Sequence, residues 1–105
     1  MVPVILMCDV KVDLGGKSAR GFVYPLGPVS LVAVVTDVGM VGCGAFDVIA
    51  LEKFGYPAAR VRPSRGPSVA SIPDLLEGIV KDANGPAQVC GVKIGMTGRE
   101  ALERL

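Results

Sequence analysis

The side chains able to do chemistry gather in the stretch Thr36-Asp37-Val38-Gly39-Met40-Val41-Gly42-Cys43-Gly44-Ala45-Phe46-Asp47-Val48 and in a basic cluster further on, Arg60, Arg62 and Arg65. A cysteine acts as nucleophile or redox thiol through its thiolate, which a helix N-terminus and a neighbouring cation both favour. Cys43 precedes a helix candidate and meets the first condition; Arg60 meets the second if its strand lies beside the turn. Asp47 could then serve as a general base or as the partner of Arg60. Gly42 and Gly44, together with Gly39, could cradle a phosphate or carboxylate on their backbone N–H groups. Arg60 and Arg62 are two residues apart, so on a strand they share one face and could grip an anion bidentately.

Each of these residues has a structural reading as well. Cys43 is a small residue that suits a core. A carboxylate at Asp47, in a first helical turn, stabilises that helix by roughly 0.3–1 kcal/mol. The glycines can serve tight turns and close packing alone, Asp37 can close an Asx-turn, and the arginines can be solvated or paired with acids. The sequence contains no histidine. A cysteine nucleophile commonly takes its base from one, so an enzyme built on Cys43 would need a base from its ligand or from a second subunit. No Gly-Lys-Ser/Thr follows the glycines at P-loop spacing, and their gaps are wrong for a dinucleotide fingerprint. The cysteines, Cys8, Cys43 and Cys90, are far apart and have no metal-ligand spacing, so no metal site is expected.

The elements that must position these residues can be read in order. Residues 3 to 14 read as a strand, Gly15-Gly16-Lys17 as a turn, and Ala19 to Pro25 as the returning strand. Ser30 to Thr36 is a β-branched run suited to a strand buried on both faces. Met40-Val41-Gly42 reads as a short strand pairing back. Ala45 to Phe54 carries apolar residues at 46, 49, 50 and 54, the spacing of a helix with one buried face, and Gly55 ends it. Ala58 to Arg62 is a strand, and residues 63–70 form a loop by composition, the piece expected to be mobile. Ser71 is a predicted N-cap for a helix running to about Val80, with Pro73 and Asp74 in its first turn. Asp82 to Pro86 reads as a turn and Ala87 to Cys90 as a short strand, with Cys8 and Cys90 as core residues. Thr97-Gly98-Arg99-Glu100 matches a capping box for a C-terminal helix from Gly98 to Leu105. Strands first, then strands and helices in irregular alternation, imply one α+β domain over residues 1–105. Its sheet is mixed and mostly antiparallel, with two or three helices packed on one face.

Composition narrows the function classes. Half of the 105 residues are apolar, which excludes a disordered chain. Eleven basic against ten acidic residues give a net charge of +1, which speaks against non-specific nucleic-acid binding. No apolar run reaches membrane-spanning length, and the apolar start lacks a basic flank, so it does not read as a signal peptide. Unpaired cysteines point to the cytoplasm. High apolar content with few aromatics leaves a face to cover, so a homo-oligomer is expected, a dimer first.

At Met40-Val41-Gly42-Cys43-Gly44-Ala45-Phe46-Asp47-Val48 the sequence resembles the YunC-like family, domain of unknown function 1805. That family has a cysteine–glycine–alanine–leucine–aspartate block after a buried strand; Cys43, Gly44, Ala45 and Asp47 match it, with Phe46 in place of the leucine. The resemblance continues through Ala59-Arg60-Val61, Ile72-Pro73-Asp74-Leu75-Leu76 and Gly95-Met96-Thr97-Gly98-Arg99-Glu100-Ala101-Leu102, roughly the last three-quarters of the chain. The loop bearing Arg65, Gly66 and Pro67 is longer than the family pattern, so nothing carries over there. The resemblance implies a small cytoplasmic α+β protein of bacteria and archaea with no established activity and no known cofactor. Three function classes therefore stand side by side. The first is a module binding a small anionic ligand at the Gly39–Asp47 turn, and the second an enzyme using Cys43. The third is a purely structural or interaction homo-oligomer.

Overall fold

The computed structural model describes residues 8–105. Among these residues six strands form one sheet in the order β1-β2-β3-β4-β5-β6. They are β1 (Cys8–Asp13), β2 (Ser18–Pro25), β3 (Ser30–Val35), β4 (Met40–Gly42), β5 (Ala58–Arg62) and β6 (Ile79–Ala83). All neighbours are antiparallel except β4 and β5, which are parallel. The domain is thus α+β with a mixed, mostly antiparallel sheet, as the order of elements implies. The part of the first strand expected before Cys8, and the burial expected of the Cys8 side chain, lie outside the described residues.

Alternation along the strands divides the side chains between two faces. One face carries Val12, Val32, Val34, Val41, Ala59, Val61 and Val80, all buried in the main core. This face is covered by α2 (Ile72–Glu77) and α4 (Gly98–Arg104), through Leu75, Ala101 and Leu102. Leu75 and Leu102 are fully buried, each contributing roughly 1.5–3 kcal/mol by leaving water. The two helices touch each other where Gly98 meets the Leu75 carbonyl, an approach that leaves no room for a Cβ. Gly21 on β2 likewise admits Ile72, whose Cδ1 would lie 2.7 Å from a Cβ there.

The opposite face carries a smaller cluster of Ala33, Met40, Val48 and Ala58, with Val35, Phe46, Leu51 and Tyr56 packed against it. It is covered only in part, by α1 (Val48–Glu52). The expected helices on one face are there, and α1 adds a short helix on the face turned away from α2 and α4. Its phase also differs from the predicted one. Ile49 and Phe54 are exposed, and Val48 and Leu51 face the sheet. The helix is five residues long, and the one-turn spacing of Val48 and Leu51 is all that it presents inward.

The C-terminal half differs from expectation in two further places. The helix from Ser71 ends at Glu77, and the chain continues as strand β6. Gly78 is the break: a Cβ there would lie 2.9 Å from the Arg62 carbonyl oxygen and from Val61, so the chain passes directly against β5. The expected strand at Ala87 to Cys90 is instead helix α3 (Gly85–Val89), with Asn84 as its N-cap and Pro86 in its first turn. Cys90 caps the end of that helix and is half-buried. The capping box at Thr97 and Glu100 is present as predicted. Among the described residues, no helix is long and apolar enough to cross a membrane.

Candidate functional site

The turn between β3 and β4 is closed by Thr36, whose hydroxyl accepts from the N–H groups of Val38 and Gly39, at 3.1 Å in both cases. Asp37 is exposed at its tip. Gly39 then lies against the Pro57 carbonyl oxygen, and Gly42 against the Phe46 ring, so tightly that a Cβ at either would overlap its neighbour. Close packing accounts for both glycines. Gly44 differs, since it is exposed and has open space around it.

Parallel pairing of β4 with β5 sets Gly42 opposite Arg60, so the arginine strand does lie beside the turn. The side chains then part. Arg60 points to the face bearing α1, where its Nε donates to Asp82 Oδ2 at 2.6 Å and its Nη1 donates to the Gly44 carbonyl at 3.0 Å. Cys43, one residue after Gly42, falls on the other face and is packed in the main core at 6 % exposure. Asp47 is the N-cap of α1, its carboxylate accepting from Ala50 N at 3.0 Å. The helix begins three residues later than predicted, because Cys43 to Phe46 form a turn in which Phe46 N donates to the Cys43 carbonyl at 3.2 Å. Cys43 is thus set back from the helix terminus, and Asp47 is committed to the cap.

A different set of residues meets Cys43. The cysteine lines a cavity of about 220 Å³ with Ser30, Gly44, Arg62, Ser68 and Lys81. Arg62 lines it from the end of β5, and Lys81 is the extra residue of β6 where the pairing passes from Arg60↔Asp82 to Val61↔Val80; an extra residue on one strand re-aims the side chains there. The basic cluster is thereby divided. Arg60 holds Asp82 and the Gly44 carbonyl, Arg65 pairs with Glu77 at 3.0 Å, and Arg62 lines the cavity. Arg62 and Lys81 have no ion-pair partner among the described residues. The loop 63–70 has a role that its composition did not reveal. Pro63, Ser68 and Val69 wall the cavity, and Val69 is anchored in the core. Lys81 and the two serines were missed as well. Lys81 sits on β6, whose residues read as the end of a helix and the start of a turn, and isolated serines carry no spacing signal. Among the described residues no group of three potential ligands could hold a metal ion.

The family model for a domain of unknown function, DUF1805, matches residues 42–105. The chain belongs to this family. It is 32 % identical over 90 residues to the uncharacterized protein YunC of Bacillus subtilis, covering 86 % of this chain and 88 % of that one. Its fold is similar to the crystal structure of TA1206, a protein of unknown function from Thermoplasma acidophilum. The TM-score is 0.82 at 25 % identity, over 100 % of this chain and 98 % of the other. The DUF1805 match begins at Gly42. It therefore takes in Cys43, Gly44, Arg62, Ser68 and Lys81 and leaves out Ser30 on β3. Most of the cavity wall is built from the family region, and the family leaves its chemistry open.

Proposed function

We propose that this DUF1805 domain binds a small anionic ligand in the cavity against Cys43, with Arg62 and Lys81 supplying the charge. The observation that carries the reading is the convergence of two cations, neither with an acidic partner among the described residues, on one concave site. The hydroxyls of Ser30 and Ser68 add polar contacts, and the Cys43 thiol forms part of the wall. At about 220 Å³ the cavity lies below the range of roughly 300–1,000 Å³ typical of drug-sized ligands. A phosphate or a short carboxylate suits it better than a nucleotide. Arg60 and Asp47 shape the site from behind, through the Gly44 carbonyl and the α1 cap. The protein acts in the cytoplasm on this reading; the free thiols of Cys43 and Cys90 suit a reducing compartment.

Thermal unfolding with and without inorganic phosphate and succinate tests this. Binding to the native state raises the midpoint by mass action, and the rise should vanish in an Arg62→Gln, Lys81→Gln double variant. An equal rise in that variant would sink the proposal. A second reading, in which the Cys43 thiolate attacks an acyl or phosphoryl centre of the bound ligand and expels the alcohol or amine bonded to it, draws on the thiol lining the same cavity. Alkylation of Cys43 by iodoacetate, in a protein with Cys8 and Cys90 changed to serine, separates the two. Labelling of the native protein that phosphate blocks supports the nucleophile, and labelling only after unfolding removes it.

A further inference from the structure

The chain contains one asparagine, Asn84, and the residue after it is Gly85. An asparagine followed by glycine is the pair most prone to lose its side-chain amide, since no side chain shields the next backbone nitrogen. The backbone there does not demand glycine. Gly85 has no left-handed conformation, and a Cβ would meet only Glu52, with Oε1 at 3.5 Å, an ordinary contact. What the fold supplies instead is restraint. The Gly85 N–H donates to Glu52 Oε1 at 2.7 Å. Both Nδ2 protons of Asn84 go to the Val48 and Tyr56 carbonyls, and its Oδ1 accepts from Ala58 N and Ala87 N. The residue is 1 % exposed. Swinging its amide carbon onto the Gly85 nitrogen would break all four of these bonds. The Glu52 carboxylate also disfavours the deprotonated nitrogen that must make the attack.

We infer that Asn84–Gly85 is a self-modification site, closed by the native fold and opened by unfolding, which makes loss of the fold irreversible. In the open chain the Gly85 nitrogen gives up its proton to water and attacks Asn84 Cγ. The N–Cγ bond forms, the Cγ–Nδ2 bond breaks, and the proton returns through water to Nδ2, which leaves as ammonia. A second water opens the cyclic imide at either carbonyl, giving aspartate or isoaspartate, with no change of oxidation state. Neither product fits the native position. Aspartate turns a carboxylate oxygen towards the Val48 and Tyr56 carbonyls at a place shut from solvent. Isoaspartate lengthens the backbone by one carbon between β6 and α3, where Asn84 N donates to the Ala58 carbonyl. The site is separate from the Cys43 cavity and needs no ligand.

The intact protein is incubated at mildly alkaline pH, native in buffer and in parallel unfolded in guanidinium chloride. The tryptic peptide 82–93 is then followed by mass spectrometry. Aspartate and isoaspartate should accumulate at position 84 in the unfolded sample. The native sample should convert more slowly by about a hundredfold or more, the population of a form open at all four bonds. A native rate closer than that to the unfolded one, or no conversion of the unfolded chain, would overturn the proposal. A half-converted sample is next diluted out of denaturant and fractionated by gel filtration. The folded fraction should hold only the unmodified peptide. Modified peptide in a folded fraction with the wild-type melting midpoint would also overturn the proposal. Gly85→Ala should fold and, after the same incubation, refold almost completely, because the methyl group hinders attack on Cγ. Loss of refolding in that variant as fast as in wild type would place the lesion elsewhere and overturn the assignment. If that variant does not fold, the fractionated wild-type sample decides alone.

Discussion

Two polar centres sit at opposite ends of β5, and they are built on opposite principles. Asn84 is 1 % exposed, and every hydrogen-bonding capacity of its side chain is used. Its Oδ1 accepts from Ala58 N at 3.1 Å and Ala87 N at 3.0 Å. Its Nδ2 donates to the carbonyls of Val48 and Tyr56, both at 2.9 Å. One side chain thereby ties together the start of β5, the N-terminus of α3, α1 and the segment after it. Around Cys43, by contrast, Arg62 and Lys81 face a cavity with no acid to hold among the described residues. A buried polar group with all its bonds made specifies a fold. Cations converging unpaired on a concave surface are available to something that is not part of the chain. The first centre explains why the chain adopts this shape, and the second where a ligand would act.

The comparison breaks most visibly at Asn84. Asn84→Ala leaves two N–H groups and two carbonyls without their partner, at about 1–3 kcal/mol for each buried group left unsatisfied. Relaxation and water entry recover part of this, so a loss of about 3 kcal/mol or more is expected in urea unfolding. That is a large share of the roughly 5–15 kcal/mol that holds a domain. Asn84→Asp keeps both acceptors but loses both donors and buries a charge, so it should be no milder. A loss below about 1 kcal/mol for Asn84→Ala would show that the four bonds are not the organising feature.

The glycines sharpen the contrast next. Gly39→Ala drives a methyl group into the Pro57 carbonyl, backbone that cannot step aside, and should cost about 1–3 kcal/mol. Gly44→Ala meets open space, and the residue has no left-handed backbone to strain. It should stay within about 0.5 kcal/mol of wild type. Unfolding curves of the two variants, side by side, would show whether the packed and the open glycine differ as the geometry requires.

At the cavity itself the expectation reverses. Arg62→Gln and Lys81→Gln remove no ion pair among the described residues, so each should change stability by less than about 0.5 kcal/mol, and removing like charges from one site can even stabilise. What should change is the response to phosphate. A variant losing stability as heavily as Asn84→Ala would mark these cations as part of the structural framework.

Much of this organisation is legible in the sequence. Alternation and β-branched runs placed β2 to β5, because strand period and burial are written in consecutive residues. Ser71 and the Thr97–Glu100 capping box placed two helix starts, because caps are local chemistry. Strand β6 and helix α3 were not legible, since their assignment is decided by tertiary contact. Ile79 to Ala83 becomes a strand only by pairing with β5, and Gly85 to Val89 a helix only once Asn84 is fixed by Ala58, Val48 and Tyr56. The Arg60 strand lies beside the Cys43 turn, a condition that the sequence leaves open. Which face each side chain takes depends on a one-residue offset: Gly42 pairs with Arg60, and Cys43 therefore turns away from it. Lys81 on the cavity wall is the extra residue of a register irregularity in β6, which no residue spacing announces.

Tyr56 belongs to the Asn84 side of the comparison through its backbone, and its effect is the smallest. Its carbonyl is one of the four partners of Asn84, while its ring lines an apolar groove on the face bearing α1. Burial there raises the phenol above its ordinary pKa of 10.0. The raised value means that the folded protein holds its proton where the unfolded chain has begun to release it. In that interval the native state binds more protons, so stability falls as pH rises. The contribution is fully present below pH 10 and is lost on passing upward through the folded pKa. Tyr56→Phe keeps the ring and the backbone carbonyl and removes the titration. The difference in stability between wild type and Tyr56→Phe should therefore be flat below pH 10 and shift in favour of the variant above it. Parallel alkaline profiles for the two proteins would place the phenol in water rather than against the groove wall.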